Sequence, residues 1–334
     1  MSSIEIKKVE SKSDLMAFIK LPWSIYKNDP NWVPHLISER KQILDKQKNP
    51  FFEHAEAEYF LAYKNGVLSG RIAAIKNDLF NKHHENNAGF FGFFESFNDQ
   101  QVANALFDKA KEWMKSKGLK EILGPANFSS NDEWAMLLEG FDDPPRILMP
   151  YNPKYYLDLC ENYRFRKIKD LYAYKLESDK VFSSDKLRRV QQIARDRYKL
   201  KIRSLNMKDF KHELENVKCV YNKAWAPNWG FVPMTDAEID AMAKELKSLV
   251  EPSLVLFGEI EGELIGFALV MPDYNEILIK MNGRLFPFNF IKIFTQRKKI
   301  KWSRIITLGI IPEHQKKGLD SVFYWEIVNR AKKL

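Results

Sequence analysis

The chain has 334 residues, 45% of them hydrophobic and 29% charged, with a net charge of +9. That composition describes a folded protein with room for two cores and excludes a disordered chain, and no stretch approaches the ~20 apolar residues of a membrane span. Two cysteines, Cys160 and Cys219, exclude a disulfide scaffold and suggest a reducing compartment. The first residues, MSSIEIKKVESKSD, lack the apolar centre of a signal peptide, so the expected location is cytoplasmic. The positive surplus suits an anionic ligand, either a phosphate-bearing cofactor or nucleic acid. Nucleic acid is the less expected of the two, because aromatic residues are barely interleaved with the basic runs.

In the first half, a short strand is expected at 4–9, then helices at 13–26, with Ser13 as N-cap, and at 34–45. Strand-like runs at 57–63 and 67–76 flank Asn65-Gly66, a strong hairpin signal. An aromatic strand at 89–97 leads into a helix at 99–117, stopped by Gly118. Ala103, Leu106, Ala110 and Trp113 share one face of that helix. A strand at 121–124 follows, then a loop in which Ser129 to Asp132 reads as a turn and helix start, then a strand at 168–176. Polar residues near 177–184 mark a linker.

The second half restarts with a basic helix, a strand at 200–205 and helices at 209–225 and 235–249. Strands at 254–259 and 264–271 flank the turn residues Glu261-Gly262-Glu263. A short apolar run at 277–280, a helical segment at 288–297 and a strand at 304–311 come next. After Pro312 a basic, glycine-containing loop opens the last helix. Unpaired amides at a helix start carry the positive end of the helix dipole, and such a loop can hold a phosphate.

Gln315-Lys316-Lys317-Gly318-Leu319-Asp320 resembles the (Gln/Arg)-x-x-Gly-x-(Gly/Ala) signature of the GNAT superfamily of N-acetyltransferases, with Asp320 where the family has a small residue. The segments FFGFFES, GPANFSSND, EGFDDPP, YNPKYYLDL and NKAWAPNWGF extend the resemblance, to bacterial tandem GNAT-like proteins, across nearly the whole chain. The resemblance implies an α/β fold with a mixed sheet, built as two tandem domains. Residues 1–177 would be a degenerate GNAT-like copy, since Asn98-Asp99-Gln100-Gln101 has no glycine. Residues 184–334 would be the acyl-CoA-binding copy, apparently without its last strands; the open sheet edge would favour a homodimer.

It also implies acetyl-CoA or another acyl-CoA as cofactor. Gln315, Lys316, Lys317, Gly318, Leu319, Asp320 and Ser321 would cradle its diphosphate, with backbone from Gly309, Ile310 and Ile311 along its arm and at the oxyanion. Trp225, Trp229 and Phe231 would wall the pocket of a small-molecule amine, with Asn127 and Tyr151 as a pocket loop. Asp273, Glu276, Glu259 and Glu261 are candidate bases, and spacing selects none of them. No metal is expected, because His83-His84 and the cysteines show no zinc spacing, and no G-x-S-x-G elbow exists. The expected function is acyl-CoA-dependent N-acyl transfer to an amine. The alternatives are a non-catalytic acyl-CoA-binding module and a basic nucleic-acid-binding protein.

Overall fold

Two hairpin-built sheets, one in each of two units, organise the computed structural model, which describes residues 3–334. The first unit runs through Leu171 and takes in Asn275–Phe294; the second is Tyr172–Tyr274 with Thr295–Leu334.

The first unit contains β1 (Ile4–Lys8), α1 (Lys12–Ile25), α2 (Ile37–Ile43), β2 (Ala55–Lys64), β3 (Val67–Asn77), α3 (Asp78–His84), β4 (Ala88–Ser96) and α4 (Gln100–Ser116). It continues with β5 (Glu121–Leu123), the short pair β6 (Ala126–Asn127) and β7 (Glu133–Trp134), and α5 (Tyr155–Asn162). The large sheet has the order β1-β2-β3-β4-β5, antiparallel except for the parallel β4–β5 pair. Asn65 and Gly66 both have positive φ, 51° and 79°, as the tight β2–β3 turn requires. α4 buries Val102, Ala103, Leu106, Phe107, Ala110 and Met114 against the sheet.

Three local expectations are corrected. Ser11, not Ser13, caps α1: its hydroxyl accepts from the Asp14 amide while the Asp14 carboxylate accepts from the Ser11 amide. Residues 129–132 start no helix, because the Asp132 carboxylate accepts from the amides of Phe128 and Ser129 and closes a turn. Residues 168–176 form no strand; Tyr172 and Tyr174 are exposed and no neighbouring strand pairs with them.

The second unit contains α6 (Ser178–Ser183), α7 (Asp185–Tyr198), β8 (Lys201–Ser204), α8 (Phe210–Trp225), α9 (Asp236–Leu246), β9 (Val255–Ile260) and β10 (Glu263–Pro272). Next in the chain come α10 (Asn275–Leu278) and α11 (Asn289–Gln296), then β11 (Ser303–Ile310) and α12 (Leu319–Ala331). The apolar run at 277–280 begins in the short helix α10, and Ile279 donates to the Asn275 carbonyl at 3.1 Å. The antiparallel sheet has the order β11-β10-β9-β8. Its core combines Leu256, Ile265, Ala268, Val270 and Ile310 with Leu319, Val322, Phe323 and Ile327 of α12. That packing fixes α12, and with it the preceding loop, against the sheet.

Candidate functional site

Among the described residues β11 is an edge strand, with β10 as its one neighbour in the sheet. The Ile311 amide donates to the Ile265 carbonyl at 2.9 Å, so Ile311 faces β10. Strand alternation then turns the N–H and C=O groups of Leu308 and Ile310 to the open side. The Ile310 carbonyl accepts there from Gln315 Nε2 at 2.8 Å, which ties the loop back to the strand. Gly309 packs under Trp225, whose ring three carbons would lie within 2.8 Å of a Cβ built at that position.

The loop turns through two left-handed residues, Lys316 at φ 59° and Gly318 at φ 71°. Gly318 is the N-cap of α12, and no side chain caps this helix start. The Ser321 hydroxyl instead donates to the Gly318 carbonyl at 2.5 Å. The Ser321 amide also donates to that carbonyl, at 3.2 Å, so the amides from Lys317 to Asp320 are the ones left for an outside acceptor, at the positive end of the helix. Lys316 lines the adjoining cleft, while Lys317 sits over the Tyr198 ring at 5.7 Å.

The cleft has a volume of about 330 Å³. Trp225, Gly309, Ile310, Gln315, Lys316, Leu319 and Asp320 all line it, so the fold joins the motif to one of the tryptophans. Asn228, Leu308 and His314 also line it and were not expected. His314 precedes the motif with no spacing signal of its own; its Nδ1 is shielded from solvent and has no hydrogen-bond partner. Trp229 is 42% exposed and Phe231 is buried; neither lines the cleft. Asn222 bonds both the amide and the carbonyl of Met234 at 3.1 Å, holding the segment between them in a closed loop.

The candidate bases lie elsewhere. Asp273 is fully buried past the far end of β10, where its amide donates to the Trp302 carbonyl, about 20–25 Å along the strand from Ile310. Glu259 accepts from Arg203 at 2.6 Å, Glu261 forms the hairpin turn at φ 53°, and Glu276 belongs to the first unit.

Asn127 and Tyr151 belong to the first unit, where each has a partner there. Tyr151 donates to Asp29 at 2.8 Å. Asn127 Oδ1 accepts from the Phe93 amide at 2.6 Å, and Asn127 Nδ2 donates to Glu133 at 3.0 Å. Phe93 sits where the β3–β4 register shifts, so Asn127 satisfies the amide that an irregular strand exposes. At the head of α4 the Asp99 carboxylate accepts from the amides of Gln101 and Val102 and pairs with Lys64. An internal carboxylate therefore fills the place that stands open at α12.

Around Asn127 lies a buried ionic cluster that the sequence did not disclose. Arg40 donates to Glu133 at 2.7 Å and contacts His35 at 2.5 Å. Burial alone would raise the Glu133 carboxyl, but Arg40 and His35 outweigh it and hold the group down to about 2. Arg71, likewise buried, donates to the Phe18 carbonyl at 2.5 Å and faces Glu95, which accepts from Tyr156 at 2.7 Å.

No family model matches the chain. The bacterial ceramide synthase of Caulobacter vibrioides is 34% identical over 323 residues, covering 94% of this chain and 82% of that protein. Protein YghO of Escherichia coli is 35% identical over 308 residues, covering 91% and 78%. The chain belongs to their family. Among solved structures, a GCN5-related glucosamine N-acetyltransferase region of a fungal multi-domain β-N-acetylglucosaminidase aligns over all of this chain and 34% of that one. Its TM-score is 0.51 at 12% identity, a likeness of fold, and the expected tandem α/β architecture agrees with it.

Proposed function

We propose that this family member is an acyl-CoA-dependent N-acyltransferase whose second half, 184–334, binds the acyl-CoA and whose first half, 1–177, is a degenerate GNAT-like copy. One observation carries the reading: the start of α12 is uncapped, basic and open to a cleft beside the free edge of β11. The matching place at α4 is filled by Asp99. An acyl-CoA is long, anionic at its diphosphate and amide-bearing along its arm. The amides from Lys317 to Asp320 with Lys316 suit the diphosphate. The outward N–H and C=O groups of Leu308 and Ile310 suit the arm, and Trp225 walls the opposite side.

The chemistry is attack of a neutral amine on a thioester, with the thiolate leaving. The amine must lose a proton, and the developing oxyanion needs a fixed donor. The outward Ile310 amide is such a donor. His314 is a titratable acceptor on the cleft wall. Ceramides are N-acylated long-chain amino alcohols, so the name of the Caulobacter relative adds an acceptor class, an amphiphilic long-chain amine.

The test is calorimetry of acyl-CoA binding, followed by thioester turnover across amines that include long-chain amino alcohols. Binding lost in Gly318→Glu, with turnover on amphiphilic amines in the unaltered chain, supports the proposal. Binding indifferent to Gly318→Glu overturns the site, and binding without turnover on any amine leaves a binding module in place of an enzyme.

A further inference from the structure

The most unusual surface is around α11, none of whose residues lines the cleft. This helix buries none of its residues, although its sequence is NFIKIFTQ. Phe290 and Phe294, four apart, share one face, and Phe286 and Phe288 precede them. Their exposures are 69% for Phe286, 74% for Phe288, 36% for Phe290 and 74% for Phe294. Four aromatic rings within nine residues, left in water, exceed the scatter of single apolar residues on an ordinary surface.

Charge selects the occupant. Between Glu276 and Glu313 there is no acidic residue, while Lys280, Arg284, Lys292, Arg297, Lys298, Lys299, Lys301 and Arg304 are all basic. Arg297 is committed to Glu251 at 3.1 Å, and Lys292 donates to the Lys280 carbonyl at 3.2 Å. Arg284, Lys298 and Lys299 are exposed on either side of the aromatic run. Aromatic rings bracketed by cations, with no acid in the same stretch of chain, match a bilayer interface: the rings enter the acyl boundary and the cations meet anionic headgroups. No helix among the described residues is long and apolar enough to cross a membrane, so the contact would be interfacial.

We propose that the segment from Arg284 to Lys299 is a peripheral docking element for anionic membrane surfaces. The inference rests on the preceding reading for its purpose, delivery of a membrane-borne amine, but its test needs neither acyl-CoA nor acceptor. The full chain is floated with phosphatidylcholine vesicles, with and without about 30% phosphatidylglycerol, at low and raised ionic strength. The expected result is flotation with the anionic vesicles that weakens with salt. Phe288→Asp with Phe294→Asp should raise the apparent Kd about tenfold or more, and Lys298→Glu with Lys299→Glu should weaken binding to the anionic vesicles alone. These side chains are exposed, so folding should be kept, as circular dichroism would verify. Acyl-CoA affinity in solution should be the same in all variants. Wild-type protein that ignores both vesicles, or aspartate variants that float equally well, overturn the docking element and leave the acyl-CoA reading untouched. A dimer abolished by the aspartate pair, with no vesicle binding, overturns it in favour of a second copy of the chain. Flotation as expected, with no acyl-CoA binding by calorimetry, upholds the docking element and defeats the functional reading.

Discussion

Gly309 and Trp225 form the closest-built part of the cleft, and Gly309→Ala probes it. A Cβ at position 309 would place three carbons of the Trp225 ring within 2.8 Å. Ordinary carbon contacts lie near 3.5–4.0 Å, so the ring must retreat by roughly 1.5 Å. It has little freedom to do so, because Tyr221 stacks on it at 4.9 Å and Phe267 meets it edge-on at 6.0 Å. Overpacking of this kind costs about 1–3 kcal/mol. For a unit of this size that lowers the melting temperature by about 2–4 °C per kcal/mol. Acyl-CoA affinity should fall as well, since both residues line the cleft. Trp225→Leu removes the obstacle, and Gly309→Ala in that background should cost only a few tenths of a kcal/mol, a coupling of about 1–3 kcal/mol. Urea unfolding of the four proteins, with calorimetry of the folded ones, measures the cycle. Equal destabilisation by Gly309→Ala in both backgrounds would show that the ring is not what requires glycine.

Gly318→Glu should leave the fold intact at a cost of about 1–2 kcal/mol, since φ is 71° and the nearest atom to an added Cβ is Val190 Cγ1 at 3.5 Å. Its acyl-CoA binding heat should vanish. Asp320→Asn should tighten acyl-CoA binding about severalfold at low ionic strength, by removing a like charge from the diphosphate site, and the gain should shrink as salt rises; an unchanged affinity at low salt would put the diphosphate elsewhere. Glu133→Gln should cost about 3 kcal/mol at neutral pH, from a carboxyl held near 2 when its ordinary value is 4.5. A depressed folded value contributes stability above the ordinary value and loses it as pH falls toward the folded one. The gap between wild type and variant, followed by urea unfolding, should therefore be full at pH 5 and above and close between about pH 4.5 and 2. A gap that stays constant across that range would mean that Glu133 acts by packing alone.

Much of the fold was legible because its signals are short-range. Asn65-Gly66 and Glu261-Gly262 adopt the positive φ values that their hairpins need, and Thr235 with Glu238 closes a capping box. A turn or a cap involves residues within about four positions of one another, and neighbours in sequence are guaranteed to meet. Where a local signal had a rival, the reading slipped. Ser11 outcompeted Ser13 for the head of α1 because Asp14 could reciprocate. The apolar run at 277–280 fits a strand or a helical turn equally well, and α10 takes the helical form.

By itself the sequence determined most of the strands and helices, the glycine loop before α12 and the basic charge around it. Tertiary structure alone decided which of these meet: Trp225 with Gly309, Arg40 with Glu133, Arg71 with Glu95, and Asn275–Phe294 with the first unit. Such contacts join residues far apart in the chain, and no local pattern encodes them. They arise when sheets and helices bury their apolar faces together and bring distant side chains to one place.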